Sequence, residues 1–322
     1  MQGLLLVNLG TPTSPTKNDI EKFILDFMGD PNVVTMPQWM WKPLLKHVIL
    51  PIHIKKSIIS YQKIWSQNGS PLRFYTEKIT QQVQALLPDW QVKMAMTYGD
   101  PSINTTIQEM KNNECDHLVL LPLYPQYANC TVKTIIATAK QTCSNLDLPL
   151  TIIKHFCTNN EYLQILVKDI QHYWNLDKYD HLYISYHGIP QSAIKKGDIY
   201  LKDCTAQTQA MCQMLNIPSE KIAMVFQSKC GLMPWLKPYL NKTLIQAAKD
   251  GMKKVLIVTP SFVTDCSETI AEDAIDNKNL FIKYGGENLT VVPPMNDSPA
   301  FAKFIANLAT NVNKTKKGQS SD

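Results

Sequence analysis

Gly3-Leu4-Leu5-Leu6-Val7-Asn8-Leu9 is a nearly continuous apolar run, closed by Gly10-Thr11-Pro12. A strand with one wet face alternates polar and apolar residues. A run without alternation suits burial on both faces, the situation of a parallel strand covered by helices above and below. A helix should follow, and Ile20, Phe23, Ile24, Phe27 and Met28 fall on one helical face before Pro31 stops the run. The pattern then continues with strands expected at 91–98, 117–123, 150–155, 181–186, 222–227, 254–258 and 289–292. Helices are expected between them at 76–87, 102–110, 132–142, 161–174, 204–215, 244–248 and 267–275, with a last one at 300–309. Such alternation defines an α/β chain with parallel, helix-covered sheets.

At 322 residues the chain exceeds the usual size of one domain. Two domains are expected, at 1–150 and 151–312, each a parallel sheet flanked by helices, with a disordered tail at 313–322. Leu5 to Pro12 echoes Leu182 to Pro190, and Leu118 to Pro122 echoes Leu256 to Pro260. The offsets are 178 and 138 residues, so a repeat would leave about 40 extra residues in the first half. They fit at about 30–70, where Met36 to Pro51 is rich in Trp, Met and Pro and reads as a lip or lid.

The net charge of +5 is spread along the chain, and no basic stripe interleaved with aromatics points to nucleic acid. Eight cysteines form no C-x-x-C pair and no tight cluster, which signals neither zinc nor iron–sulfur and fits a reducing cytoplasm. Gly3 to Leu9 is too short to span a membrane and lacks the basic flank and cleavage site of a signal peptide.

Three loops that follow strands carry the chemistry. In Ser185-Tyr186-His187-Gly188-Ile189-Pro190 a strand ends on an imidazole with a turn close behind, which holds a titratable group at the lip of a sheet. A core histidine satisfied by a nearby carbonyl is the plainer reading. Glu268, Glu272 and Asp276, spaced i, i+4, i+8, make one acidic stripe on a helix of 3.6 residues per turn. A stripe of that kind is usually a solvated face, but this one opens straight after the apolar run 255–263, where parallel sheets place ligand sites. In the third loop, Ser228 to Tyr239, prolines flank Trp235, which serves equally as a core anchor or as a rigid wall for a flat apolar ligand. Neither G-x-G-x-x-G nor a P-loop motif occurs, so nucleotide binding is disfavoured.

The ordered set of motifs resembles ferrochelatase. It comprises Asn8 to Pro12, Tyr61 to Trp65 with Gly69 to Leu72, Tyr98 to Ile103, Leu121 to Tyr127, Ser185 to Pro190 with Gly197 to Tyr200 and Cys204-Thr205, Ser228 to Pro238, and Thr264 to Thr269. The resemblance covers about residues 3 to 310. It implies the chelatase fold, with a cleft between two Rossmann-like domains, and insertion of Fe²⁺ into a porphyrin with release of two protons. Carried over residue by residue, His187 takes pyrrole protons and faces the metal, Glu268 stands opposite as its partner, and Glu272 and Asp276 continue a path for protons or metal. Tyr61, Ser70, Tyr98 and Trp235 are implied on the porphyrin side. Metallation exchanges two N–H protons for a dication, so a neutral imidazole beside carboxylates is the chemistry the reaction asks for.

The expected substrate is protoporphyrin IX, which the Asn8 to Pro12 opening favours by resemblance. Coproporphyrin III, another tetrapyrrole, or a porphyrin or haem carrier without catalysis are the alternatives. His53, Thr97 and Asn32 stand where the family often has arginine, and Lys42, Lys46, Lys55 and Lys56 are candidates to compensate. No cofactor beyond substrate Fe²⁺ is expected, and no iron–sulfur cluster, since no cysteine follows residue 310. The expected location is the cytoplasm, peripheral to the inner membrane face if the Trp39 to Pro51 lip contacts lipid. An ordinary packing element explains that lip equally well.

Overall fold

The computed structural model describes residues 1–231 and 233–319, with side chains through residue 312. The chain forms two compact units. The first is Met1–His155 together with the chain from Asn296 onward, and the second is Phe156–Met295.

In the first unit, β1 (Gln2–Gly10), β2 (Trp90–Tyr98), β3 (His117–Pro122) and β4 (Leu150–Ile152) form a parallel sheet in the order β2-β1-β3-β4. Leu4, Leu5, Leu6 and Val7 of β1 are wholly buried, as the unbroken apolar run requires. Helices α1 (Lys17–Met28), α2 (Gln38–Leu44), α3 (Leu50–Ile64), α4 (Pro71–Leu86), α5 (Ile103–Asn112) and α6 (Thr134–Asn145) belong to the same unit. Side-chain caps start two of them, with Thr16 accepting from the Asp19 amide before α1 and Ser102 from the Thr105 amide before α5.

The second unit repeats the plan. β5 (His181–His187), β6 (Ile222–Gln227), β7 (Lys254–Val258) and β8 (Asn288–Val291) are parallel in the order β6-β5-β7-β8. Both sheets thus run second, first, third, fourth. The sequence echoes fall on equivalent strands, β1 with β5 and β3 with β7, which gives the repeat a topological basis. Helices α7 (Asn160–Leu176), α8 (Gln191–Lys195), α9 (Tyr200–Met214) and α10 (Leu240–Lys249) connect the strands, and a π-helix at Glu268–Asn277 leads into α11 (Lys278–Lys283).

The last helix, α12 (Pro299–Gln319), packs on α4 and β3 of the first unit, burying Phe301, Phe304 and Ile305. Sequence order had placed it with the second half, and the tail expected to lose structure at 313 continues as helix to Gln319. Residues 320–322 lie outside the described residues.

The Trp-rich stretch is helical: α2, a π-turn at Leu45–Ile49 and α3 follow one another without a break. Its two tryptophans divide the readings given above. Trp41 is buried and its indole N–H donates to the Met28 carbonyl at 2.6 Å, a packing anchor. Trp39 is 78 % exposed, and Met40, Leu44, Val48 and Ile52 carry an exposed apolar line along the same run. Among the described residues no helix is long and apolar enough to cross a membrane.

Gly10 closes β1 with φ of 109° opposite Tyr98, and a Cβ there would overlap the Tyr98 carbonyl oxygen. Positive-φ strain and a backbone clash act together, so Gly10→Ala should cost roughly 2–5 kcal/mol, read as a lower urea midpoint with an unchanged m-value.

Candidate active site

Strands β5 and β6 of the second unit end on neighbouring residues, His187 and Gln227, at the carboxyl edge where parallel sheets hold ligands. The backbone of His187 is fixed from both sides. Its N–H donates to Ser261 Oγ at 3.2 Å, and its carbonyl accepts from the Tyr200 hydroxyl at 2.9 Å. Tyr200 and Ser261 are themselves joined, oxygen to oxygen at 2.8 Å.

The imidazole Nδ1 lies 2.7 Å from the Gly188 carbonyl oxygen. A carbonyl only accepts, so in this contact Nδ1 holds the proton and Nε2 of the neutral ring carries the lone pair. The ring sits between Trp235, 6.3 Å away and tilted by 52°, and Phe262, 6.1 Å away at 66°. Gly188 permits that approach: a Cβ there would stand 2.8 Å from the Gln227 carbonyl oxygen and 3.1 Å from the Trp235 ring. Bonds from the Gln191 amide to the Pro234 carbonyl (2.9 Å) and from the Leu236 amide to the Ile189 carbonyl (3.0 Å) hold the Trp235 loop against the turn after His187.

The acidic segment differs from expectation in its winding. Glu268–Asn277 is a π-helix, bonded i→i+5, rather than an α-helix. Its start is braced by Thr269, which donates to Asp265 at 2.8 Å and accepts from the Cys266 amide at 3.1 Å. Ser267 Oγ donates to Glu268 at 2.7 Å. Glu272 accepts twice from Ser228, from the amide at 2.9 Å and the hydroxyl at 2.6 Å. Burial pushes the Glu272 carboxyl above its ordinary range against those two bonds, the Glu268 charge pushes it further, and His187 pulls it back. Imidazole and both carboxylates therefore share one electrostatic neighbourhood. Glu268 and Glu272 are half-buried, whereas Asp276 at the outer end of the stripe is exposed.

The structure thus brings His187, Glu268, Glu272 and Trp235 together in the second unit. Tyr61, Ser70 and Tyr98 belong to the first and have partners there. Tyr61 packs edge-on against Phe23, Ser70 accepts from Thr11 at 2.8 Å, and the Tyr98 hydroxyl donates to Asp30 at 2.8 Å. Two of the positions where arginine was expected are also tied locally, Thr97 to the Asn8 carbonyl and Asn32 to Thr134.

Sequence reasoning missed Phe262 and Ser261 around His187, and quoted Tyr200 in a motif without placing it against the His187 backbone, since an apolar run and lone hydroxyls carry no signal of proximity. It also missed Asp273, which lies about 140° from Glu268 on a 3.6-residue helix and so off the stripe. The i→i+5 winding turns it inward, and it is wholly buried.

Two parallel four-stranded sheets of identical order are the arrangement that solved chelatases share with this chain. SirB from Bacillus subtilis with Fe³⁺ aligns with a TM-score of 0.61 at 13% identity, covering 99% of this chain and 98% of that one. The sirohydrochlorin chelatase SirB from Bacillus subtilis subspecies spizizenii in complex with cobalt aligns with a TM-score of 0.55 at 11% identity, with 99% and 97% covered. The sequence model of the ferrochelatase family matches residues 1–312. Proteins called coproporphyrin III ferrochelatase are similar along almost their whole length. Those of Limosilactobacillus reuteri (46% identical, 95% of this chain and 97% of the relative), Lactiplantibacillus plantarum (42%, 95% and 94%) and Lactococcus lactis subsp. cremoris (40%, 95% and 95%) are examples. The chain belongs to the ferrochelatase family and is a metal chelatase.

The raised affinity of Glu272 for its proton has a consequence for stability. The folded chain holds that proton at pH values where the unfolded chain, with the ordinary value of 4.5, has released it. Folded binds more than unfolded, so this contribution is full at low pH and is lost as the pH climbs above 4.5 through the raised value. Glu272→Gln has no such proton to lose. In metal-free urea melts its stability relative to wild type should rise as the pH climbs above about 4.5 and level off once the raised value is passed.

Proposed function

We propose that the protein inserts Fe²⁺ into coproporphyrin III, with His187 as the base that takes pyrrole protons and Glu268 as the carboxylate that meets the incoming ion. The observation that carries the reading is the Nδ1 contact of His187 with the Gly188 carbonyl, which leaves Nε2 as a base on a half-buried ring walled by Trp235 and Phe262. Each pyrrole proton that leaves needs a destination. Nε2 accepts the first share of that traffic, and Glu272, whose burial raises its affinity for protons, suits the next position. From there the stripe leads to exposed Asp276, an outlet to solvent for protons or an inlet for the cation.

The choice of porphyrin follows charge and kinship. Protoporphyrin IX was the expectation from sequence, but the relatives cited above carry coproporphyrin III in their names. A more carboxylated porphyrin asks for more cations. Lys229 and Lys237, on the segment that carries Trp235, and Lys242, in the first turn of α10, place their ammonium groups 5.3, 5.9 and 5.8 Å from the centre of the Tyr239 ring. Lys42, Lys46, Lys55 and Lys56 are all exposed on α2, the π-turn and α3.

Anaerobic mixing of the protein with Fe²⁺ and each porphyrin, followed by absorbance, tests the reading. Coproporphyrin III should be metallated at least about tenfold more efficiently than protoporphyrin IX, one unit of log kcat/KM. His187→Ala should lower turnover by about 10²–10⁴-fold while the porphyrin still binds. Equal rates with both porphyrins would remove the substrate assignment, and tight binding with no turnover by wild type would make the protein a carrier.

A further inference from the structure

Behind the site lies a chain of four buried polar side chains with every bond made. Ser185, in β5 two residues before His187, donates to Gln227 Oε1 at 2.6 Å. Gln227 Nε2 donates to Asp273 Oδ2 at 2.7 Å, and Asn277 Nδ2 donates to Asp273 Oδ1 at 2.9 Å. Ser185 and Asp273 are wholly buried, Gln227 is 3 % exposed and Asn277 6 %. Gln227 also holds the turn on the far side of His187, since its carbonyl accepts from the Gly188 amide at 2.9 Å.

The two strands and the acidic helix thus meet at a single amide. Gln227 grips β5 on either side of the imidazole with one set of atoms and the π-helix through Asp273 with another. Neither Asp273 nor Gln227 is assigned to proton or metal traffic above. A buried carboxylate costs folding energy wherever an apolar side chain would pack instead, and a satisfied network specifies one arrangement where an apolar contact tolerates several. A slip of the helix by one residue would leave Gln227 Nε2 without its acceptor, whereas the Asn277 bond lies within the helix and would travel with it.

We propose that Asp273 is a positioning residue: through Gln227 it fixes the register of the π-helix against β5, and so holds Glu268 and Glu272 at a set distance from His187. The proposal rests on the reaction assigned above. Groups that orient metal-binding side chains commonly govern affinity and rate by 10–100-fold without touching the ion.

A pairwise swap tests it. In Asp273→Asn one acceptor faces two donors, and in Gln227→Glu two buried carboxyls replace the carboxyl–amide contact, which then depends on a proton taken up between them. The double variant Asp273→Asn, Gln227→Glu restores every bond. Ser185 and the new amide at 273 donate to the carboxylate at 227, Asn277 donates to the amide oxygen, and the charge is unchanged. Expected for each single variant is a kcat for Fe²⁺ insertion lowered about 10–100-fold with porphyrin KM within about twofold, and for the double variant a kcat within about threefold of wild type. Co²⁺ affinity measured by calorimetry on the four proteins should fall and recover in the same order. That readout needs no turnover, so it separates failure of this proposal from failure of the assigned reaction. Folded single variants with wild-type kcat and Co²⁺ affinity would overturn the proposal. So would a double variant whose urea midpoint recovers while kcat and Co²⁺ affinity do not, since the carboxylate at 273 would then be needed for itself.

Discussion

The site depends on how one helix is wound. Bonding i→i+5 between Glu268 and Asn277 gives up the better geometry of the ordinary i→i+4 ladder and turns less angle per residue. What is gained is polar. Asp273 accepts from Gln227 and from Asn277, and these hydrogen bonds offset the poorer backbone ones while Ser228, the residue after Gln227, holds Glu272. Were the segment an α-helix, Asp273 would point away from Gln227 and leave its amide unpaired in the core. Buried donors without acceptors cost on the order of 1–3 kcal/mol each, enough to decide between two windings of ten residues.

A base and its acids are prepared differently here. The imidazole is set by backbone: strand β5 delivers it, Ser261 and Tyr200 hold its peptide, and a carbonyl one residue on selects its tautomer. The carboxylates are set by side chains from another strand end, Ser228 for Glu272 and Gln227 for Asp273. Moving β6 relative to β5 would disturb both halves at once. The parallel pairing of the two strands, in register from Leu182 with Ile222 to His187 with Gln227, is therefore part of the chemistry as much as of the fold.

Much of this was legible in the amino-acid order. The strands announced themselves because parallel strands are buried on both faces, so Leu4 to Val7 and Val255 to Val258 read as unbroken apolar runs. His187, Glu268 and Trp235 were found because each follows such a run. The α2 to α3 stretch reads as a lip because Trp, Met and Pro crowd it, yet Pro51 falls in the first turn of α3, where a helix tolerates it, and only Pro43 lies inside a helix. The partners of Asp273 were invisible for a different reason. A period of 3.6 was assumed where the chain uses a wider one, and the resulting face was wrong by a large angle for every residue past the first turn.

The placement of α12 bears on how the molecule is made. The core of the first unit includes Phe301, Phe304 and Ile305, which leave the ribosome after all of β5 to β8. Synthesis at about 5–20 residues per second means the earlier half waits many seconds with that surface uncovered, while the intervening unit has its entire sequence and can close first. The core of the first unit is therefore completed only after the whole second unit has been made, and the last helix to be synthesised covers the oldest sheet.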